Sequence, residues 1–187
     1  MNIPNCLTVF RLALIPLFVL MFYVPTTWGK VVAAIVFLLA AFTDWLDGYL
    51  ARLWKQVSTF GAFLDPVADK LMVSTALVLI AANRDLAYVA IPIAIIIGRE
   101  IVVSALREWM AELGKRANIA VSYVGKTKTM LQFLAIALLI LASSIDDMFL
   151  LWFGYLTLYL SAALTLWSMM MYLQAAWPNF QITKNDS

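Results

Sequence analysis

Long apolar runs separated by short polar breaks dominate this chain. A helix needs about 20 apolar residues to cross the hydrocarbon core of a bilayer, and six stretches approach or exceed that length. They predict transmembrane helices at about 7–24, 31–52, 67–83, 86–107, 124–143 and 148–174. The expected fold is therefore all-α, a polytopic bundle of six transmembrane helices. We expect residues 1–177 to form a single membrane domain and 178–187 a short polar tail, while the polar stretch 108–123 either extends helix four or forms a small surface helix.

Composition supports a membrane protein and narrows the available chemistry. Hydrophobic residues make up 64% of the chain, charged residues 13%, and the mean hydropathy is +0.91. Since soluble domains carry about a quarter charged residues, we expect no separate soluble domain. The chain has no histidine and a single cysteine, Cys6. An intrachain disulfide is therefore excluded, and catalysis must use carboxylates, Lys, Arg, Tyr or backbone groups.

The basic residues are distributed unevenly between the two sides of the predicted bundle. Lys30 and Arg84 fall at one end of the spans, whereas the other eleven of the 13 Lys and Arg residues lie on or near the opposite side. Cytoplasmic segments of membrane proteins carry an excess of Lys and Arg. The pattern therefore predicts that both termini face the cytoplasm.

Four aspartates interrupt the apolar pattern, and they lie on the predicted cytoplasmic side. Asp44 and Asp47 are three residues apart near the end of helix two, and Asp65 and Asp69 are four residues apart at the opening of helix three. Each pair therefore shares a helical face. A carboxylate at the bilayer centre costs roughly 2.5–3.5 kcal/mol. Four of them call for nearby cations or water.

The connection between the two aspartate pairs is expected to be a turn. Ser58, Thr59 and Gly61 are the residues expected to form it. Asp65 followed by Pro66 predicts a helix N-cap and a proline at the first helical position. The two helix ends would then present their carboxylates to a common site.

The donor set indicates the kind of cation. Carboxylate oxygens suit Mg²⁺ or Mn²⁺, and the absence of histidine and of paired cysteines argues against zinc. Two such ions about 3.5–4 Å apart can clamp an in-line phosphoryl displacement. In the simpler alternative, the aspartates only form interfacial ion pairs with Arg52, Lys55 and Lys70. That alternative does not explain four intramembrane carboxylates in this spacing.

The pattern Asp44-x2-Asp47-Gly48-x2-Ala51-Arg52-x8-Gly61-x3-Asp65-x3-Asp69 resembles the signature of the CDP-alcohol phosphatidyltransferase family. The resemblance implies a six-helix membrane bundle, usually a homodimer, with its site open to the cytoplasmic interface of the bacterial inner membrane. Family members replace the CMP of a CDP-linked lipid with an alcohol. By position, the resemblance implies two Mg²⁺ or Mn²⁺ ions bound by Asp44, Asp47, Asp65 and Asp69, with Asp69 also the general base. It further implies that the CDP group is held by Gly48, Arg52 and Gly61.

The start of the chain adds a second group of candidate CDP contacts. Asn5, Thr8 and Arg11 recur every three residues and place polar groups along one side of helix one. In the simpler alternative, Asn5 caps the helix and Arg11 extends toward lipid headgroups. An arginine this far inside an apolar helix is better explained by an anion such as the CDP pyrophosphate. We therefore predict that all three contact CDP.

A basic cluster in helices four and five indicates a second phosphate site. Arg99 interrupts the apolar run from Ile91 to Val103, and Arg107, Lys126 and Lys128 follow. Contact with anionic lipid would explain exposed basic residues in general, but it explains Arg99 poorly. We predict that the four basic residues bind the phosphate of a phosphorylated acceptor, which free serine, choline or ethanolamine would not require.

The segment from Gly98 to Arg116, the opening Asn2-Ile3-Pro4-Asn5 and the stretch Gly125 to Thr129 are similar to bacterial phosphatidylglycerophosphate synthases. This resemblance implies transfer of the phosphatidyl group of CDP-diacylglycerol to sn-glycerol 3-phosphate. Within the family, the alternatives are a cardiolipin synthase or a phosphatidylinositol-phosphate synthase. Outside it, a divalent-cation transporter also carries intramembrane carboxylates. Against a transporter, the acids cluster near one face, and we expect no polar series through helices five and six.

Overall fold

A computed structural model describes residues 3–54, 59–84, 86–112, 123–145 and 147–182. All regular structure in these ranges is α-helical, and it forms six helices in the predicted order. The predicted all-α class and the six-helix count are confirmed for the described residues. The helices are α1 (Ile3–Tyr23), α2 (Thr27–Trp54), α3 (Thr59–Ala82), α4 (Ala90–Glu112), α5 (Tyr123–Ile145) and α6 (Met148–Ile182).

Four of these helices are long and apolar enough to cross a membrane: α1, α2, α5 and α6. The other two, α3 and α4, have the length of a span but interrupt their apolar surface with charges. Asp65, Asp69 and Lys70 lie in α3, and Arg99 and Glu100 lie in α4. Intramembrane charges usually face the interior of a bundle or a water-filled cavity. The chain is a polytopic membrane protein in which α3 and α4 carry charged groups within otherwise apolar helices.

The bundle forms from two helical hairpins and two helices that join them. The α1–α2 pair and the α5–α6 pair pack most extensively, while α2 also contacts α5 and α4 contacts α6. The third helix touches α1, α2, α4 and α5 and therefore lies at the centre of these contacts. Aromatic rings join the hairpins, since Phe37 of α2 lies 6.0 Å from Phe18 of α1 and 5.5 Å from Phe133 of α5, centroid to centroid.

Hydrogen bonds stabilise the end of the bundle that carries Lys30. The Lys30 ammonium donates to the Ser143 carbonyl over 2.7 Å, which joins the start of α2 to the end of α5. Asp147 caps α6 by accepting from the backbone N–H groups of Phe149 and Leu150. These hydrogen bonds stabilise the end of the bundle opposite the four aspartates.

The prediction for the start of helix three was wrong. The helix begins at Thr59, so Asp65 lies within it and is not its N-cap, and Thr59 and Gly61 are helical. Pro66 is also inside α3. A proline within a helix removes one backbone hydrogen bond, and membrane helices tolerate that loss where neighbouring groups satisfy the freed carbonyl. Ser58 lies outside the described residues.

The limits of the last helices also differ from expectation. The fourth helix continues to Glu112, which agrees with the predicted extension, and residues 113–122 lie outside the described ranges. The sixth helix continues to Ile182, past the predicted end at 174 and into the segment expected to be a polar tail. The division into a membrane domain and a tail at residue 177 stays a prediction.

Candidate functional site

Two aspartates of the motif are held by side chains from α1. The Arg11 guanidinium lies 2.6 Å from a carboxylate oxygen of Asp44, and the Thr8 hydroxyl donates to Asp65. Thr8 and Arg11 are almost fully buried, at 0% and 1% exposed. They are three residues apart and therefore share a face of α1. The predicted polar side of helix one therefore faces the aspartate motif, and both Thr8 and Arg11 contact it.

Charged side chains from several helices lie around Asp69. Its carboxylate interacts electrostatically with Asp44 of the motif and with Arg11 of α1. It also interacts with Glu100 of α4 and with the adjacent Lys70. Asp44 in turn interacts with Asp65. The three described aspartates therefore share one site, and Glu100 of α4 also lies close to it.

Several predicted site residues have side chains outside the described part of the chain. Their backbones belong to α1, α2 and α5. The roles predicted for them stay predictions. They are Asn5, Asp47, Gly48, Arg52 and Lys126. Of the glycines predicted to hold CDP, only Gly61 has described burial, and it is buried in the first turn of α3.

The donor set around Asp44 and Asp65 fits a hard divalent cation. Carboxylates of α2 and α3 meet here, and Asp47 follows Asp44 by three residues on the same helix. All of these ligands are oxygens, as Mg²⁺ and Mn²⁺ prefer. Among the side chains that the structure describes, no three acidic or thiol groups form a metal cluster. The metal-binding role predicted for Asp47 stays a prediction.

A second cluster joins α4 to α5 and α6. The Glu100 carboxylate accepts from Arg99 over 2.7 Å and from the Lys128 ammonium over 3.0 Å. Arg99 also donates to the Ser168 hydroxyl over 3.0 Å. Arg99 and Lys128 are each 6% exposed, so the two cations lie in the protein interior beside a single carboxylate. Two of the four basic residues predicted to bind a phosphate are thus brought together.

Arg107 joins the same region through α6. Its guanidinium donates to the Tyr172 hydroxyl and lies 5.0 Å above the Tyr172 ring, while the Arg99 guanidinium lies 5.7 Å from that ring. Lys70 connects this cluster to the aspartates, because its ammonium donates to the hydroxyl of Ser104, which donates to the Glu100 carbonyl. The aspartate motif and the basic cluster therefore form one continuous polar region.

The expectation that helices five and six carry no polar series was wrong. Thr157, Ser161, Thr165 and Ser168 of α6 are all buried, at spacings of three or four residues. The sequence contained this signal as regularly spaced hydroxyl residues in an apolar helix, but each is too weakly polar to interrupt the hydropathy pattern. Thr157 bonds to the backbone of its own helix and Ser161 to a backbone carbonyl of α5. None of these four side chains is a carboxylate, so the series adds no acidic ligand for a divalent cation.

Comparisons with known proteins agree with the motif. The sequence profile described as CDP-alcohol phosphatidyltransferase matches residues 1–172. A protein of Yersinia pestis (strain Pestoides F) is 53% identical over 177 residues, which cover 95% of this chain and 96% of the relative. A protein of Pectobacterium atrosepticum is 54% identical over 176 residues, 94% of each chain, and one of Sodalis glossinidius is 53% identical over 94% of this chain and 95% of its own length. Each of these relatives is named CDP-diacylglycerol–glycerol-3-phosphate 3-phosphatidyltransferase.

Proposed function

Since the chain belongs to the CDP-alcohol phosphatidyltransferase family, we propose that it transfers the phosphatidyl group of CDP-diacylglycerol to sn-glycerol 3-phosphate. The products are phosphatidylglycerol phosphate and CMP. The names of relatives that are more than half identical support this choice of substrates. The single observation that carries the proposal is that the aspartate motif adjoins the basic cluster: Lys70, next to Asp69, donates to Ser104 of α4, one turn from Glu100. A general base must reach the acceptor hydroxyl while the acceptor phosphate is held elsewhere.

The aspartate motif is the proposed pyrophosphate side of the site. Proteins of this family generally depend on divalent metal ions, and we assign Asp44, Asp47, Asp65 and Asp69 as the ligands of two Mg²⁺ or Mn²⁺ ions. When bound, such ions neutralise pyrophosphate charge and stabilise an in-line displacement. Thr8 and Arg11 hold the carboxylates of Asp65 and Asp44 in place. The same α1 residues, together with Asn5, Gly48, Arg52 and Gly61, form the proposed CDP-binding surface.

Asp69 is the proposed general base. Its carboxylate takes the proton of the 1-hydroxyl of glycerol 3-phosphate as the hydroxyl oxygen attacks the β-phosphorus of CDP-diacylglycerol. The bond from that phosphorus to the bridging oxygen breaks, and CMP leaves with the electron pair. General-base catalysis of this kind contributes about 10²–10⁴-fold.

The basic cluster is the proposed acceptor-phosphate side. Arg99, Arg107 and Lys128 carry three positive charges, and Glu100 carries one negative charge, which leaves a net charge of +2. A phosphate monoester carries about −1.5 to −2 at neutral pH. The described cluster therefore matches the charge of a phosphorylated acceptor and not that of a neutral alcohol. Lys126, two residues before Lys128, is assigned to the same pocket.

The orientation and assembly of the protein follow from charge and family. The excess of Lys and Arg at the end that carries the aspartates supports a cytoplasmic site. Both termini then face the cytoplasm of the bacterial inner membrane, because six antiparallel spans return the chain to its starting side. We also propose a homodimer, as the family resemblance implies.

The acceptor is tested with the purified protein, Mg²⁺ and CDP-diacylglycerol. Glycerol 3-phosphate, inositol phosphate, phosphatidylglycerol and free glycerol are offered one at a time, and CMP release is followed. We expect turnover with glycerol 3-phosphate. Faster turnover with phosphatidylglycerol or inositol phosphate would replace the proposed acceptor within the family. Metal flux into proteoliposomes in the absence of CDP-diacylglycerol would favour a transporter.

The phosphate pocket is tested by neutral variants of its cations. Arg107→Gln and Lys128→Gln should raise the KM for glycerol 3-phosphate and leave the KM for CDP-diacylglycerol near its wild-type value. The matched control is Arg84→Gln, an exposed arginine outside the proposed pocket. A normal KM for glycerol 3-phosphate in either pocket variant would remove that residue from the assignment.

A further inference from the structure

The middle turns of α6 present polar side chains to the basic cluster. Thr165, Ser168 and Tyr172 follow one another at spacings of three and four residues and therefore share one side of the helix. We call these three residues the α6 polar face. Two of them contact arginines of α4, so the face forms a wall of the region proposed to bind the acceptor phosphate.

Tyr172 contacts both arginines at once. Its ring lies 5.7 Å from the Arg99 guanidinium carbon and 5.0 Å from that of Arg107. Its hydroxyl accepts a hydrogen bond from Arg107 over 2.5 Å. The face of an aromatic ring attracts guanidinium groups through its quadrupole. One side chain thus holds two like charges near each other without neutralising either of them.

Ser168 contacts Arg99, the more buried of the two arginines. Its hydroxyl accepts from one terminal nitrogen of Arg99, while the other terminal nitrogen bonds to Glu100. A guanidinium carries five N–H donors in a fixed fork. Arg99 is therefore oriented by two fixed acceptors, and the orientation of its fork is set before a ligand arrives. Ordering a long side chain in advance lowers the entropic cost of binding.

Two buried polar atoms in this region have no hydrogen-bond partner among the described residues. They are Nε of Arg99 and the hydroxyl of Thr165, whose residues are 6% and 0% exposed. Buried polar groups in proteins are almost always hydrogen-bonded. Their presence next to Ser168 is a second observation, independent of the contacts of Tyr172, that points to a ligand or water at the α6 polar face.

We propose that Tyr172 and Ser168 are positioning residues for the acceptor phosphate, acting by holding the Arg99 and Arg107 guanidinium groups side by side. Both guanidinium groups can then bind one phosphate, an arrangement for which arginine is well suited. This inference rests on the proposed function, because it assumes that the basic cluster binds the phosphate of the acceptor. It adds α6 as the element that determines whether a phosphorylated acceptor binds well.

Two substitutions separate the ring from its hydroxyl. Tyr172→Phe keeps the ring and removes the hydrogen bond to Arg107, and we expect the KM for glycerol 3-phosphate to rise about threefold. Tyr172→Leu removes both cation–π contacts, and we expect a rise of about tenfold. In both variants, kcat and the KM for CDP-diacylglycerol should stay near wild type. The matched control is Tyr159→Phe, which removes another tyrosine hydroxyl of α6, bonded to the Tyr88 carbonyl.

A structural role would give a different result. If Tyr172 only stabilised the fold, Tyr172→Leu would lower the melting temperature and reduce activity toward both substrates together, and that outcome would overturn the proposal. An unchanged KM for glycerol 3-phosphate in Tyr172→Leu would overturn it as well. The expected pattern is a rise in one KM alone, in the order Tyr172→Leu, Tyr172→Phe, Tyr159→Phe.

A binding measurement without turnover separates this inference from the proposed function. Inorganic phosphate is titrated into the wild-type protein and the Tyr172→Leu variant, and the melting temperature is recorded. We expect phosphate to stabilise the wild type and to require about tenfold higher concentration in the variant. If wild type did not use glycerol 3-phosphate but this difference remained, the acceptor assignment would fail while the role of Tyr172 stood. Equal phosphate responses in both proteins would reject the role of Tyr172.

Discussion

The contact between Arg11 and Asp44 offers the sharpest test of how α1 supports the site. Arg11→Gln removes the positive charge and keeps a polar, though shorter, side chain. Arg11 is 1% exposed and Asp44 is 38% exposed, and their charged atoms are 2.6 Å apart. The substitution therefore leaves the Asp44 carboxylate without the cation that lies closest to it in α1.

The expected loss of stability follows from these values. Two unit charges about 4 Å apart attract by about 4 kcal/mol at an effective dielectric constant near 20. Desolvation offsets much of this, and hydrogen bonds to charged groups contribute about 1.5–3 kcal/mol net. Because Asp44 is partly exposed, we expect the lower half of that range. For a chain of this length, the melting temperature should fall by about 3–9 °C.

The assay is thermal unfolding in detergent, followed by tryptophan fluorescence, first in EDTA and then with excess Mg²⁺. In EDTA, we expect Arg11→Gln to melt below the wild type by the stated amount, whereas Arg84→Gln should match the wild type. With Mg²⁺, the difference should shrink by about half or more, because a divalent ion bound by Asp44 supplies the missing positive charge.

Two results would refute this reasoning. Equal melting temperatures of Arg11→Gln and wild type in EDTA would mean that the contact contributes no net stability. A difference that is the same in EDTA and in Mg²⁺ would argue against Asp44 as a ligand of the ion. The second result bears on the metal assignment without any measurement of activity.

Two further predictions concern catalysis and packing. Asp69→Ala should reduce kcat by about 10²–10⁴-fold while the bundle stays folded, because it removes the general base. The control is Asp147→Asn, at the cap of α6 opposite the site, which should leave CMP release unchanged. Near-normal turnover of Asp69→Ala would exclude Asp69 from the mechanism. A Cβ added to Gly154 would lie 2.9 Å from Leu139 of α5, whereas one added to Gly98 meets no atom within 4 Å. Both substitutions raise helix propensity by a similar amount, so a difference in stability between them reports the contact with Leu139. Gly154→Ala should be less stable to thermal unfolding than Gly98→Ala by about 1–3 kcal/mol. Equal stabilities would contradict the close α5–α6 packing.

Local sequence patterns predicted the helices well but placed one boundary incorrectly. The number and order of the described helices match the apolar runs, and four of them are long and apolar enough to cross a bilayer. The start of α3 was misplaced because Asp65-Pro66 carries a strong N-terminal signal. That signal is local, and the helix continues to Thr59 because membrane surroundings make unpaired backbone groups costly.

The candidate site was predicted in part. The aspartates and the four basic residues were singled out because charges are rare in an apolar chain and each needs a compensating partner. Their roles stay predictions. Ser168 and Tyr172 were not recognised, because a hydroxyl or a phenol in an apolar helix looks like ordinary packing until its neighbour is known. The contact between Glu100 and Lys128 was also missed. The adjacent Arg99 already offered Glu100 an ion-pair partner, and the sequence does not show that Lys128 lies close as well.

The sequence alone determined that this is a polytopic membrane protein of six helices and that it carries an aspartate motif and a separate basic cluster. Hydrophobicity and residue spacing suffice for these features because they are properties of single segments. Only the tertiary structure decided that Thr8 meets Asp65, 57 residues away, and that Arg99 meets Ser168, 69 residues away. Such contacts depend on how each helix is rotated about its axis and which neighbour it packs against, and no local pattern specifies either one.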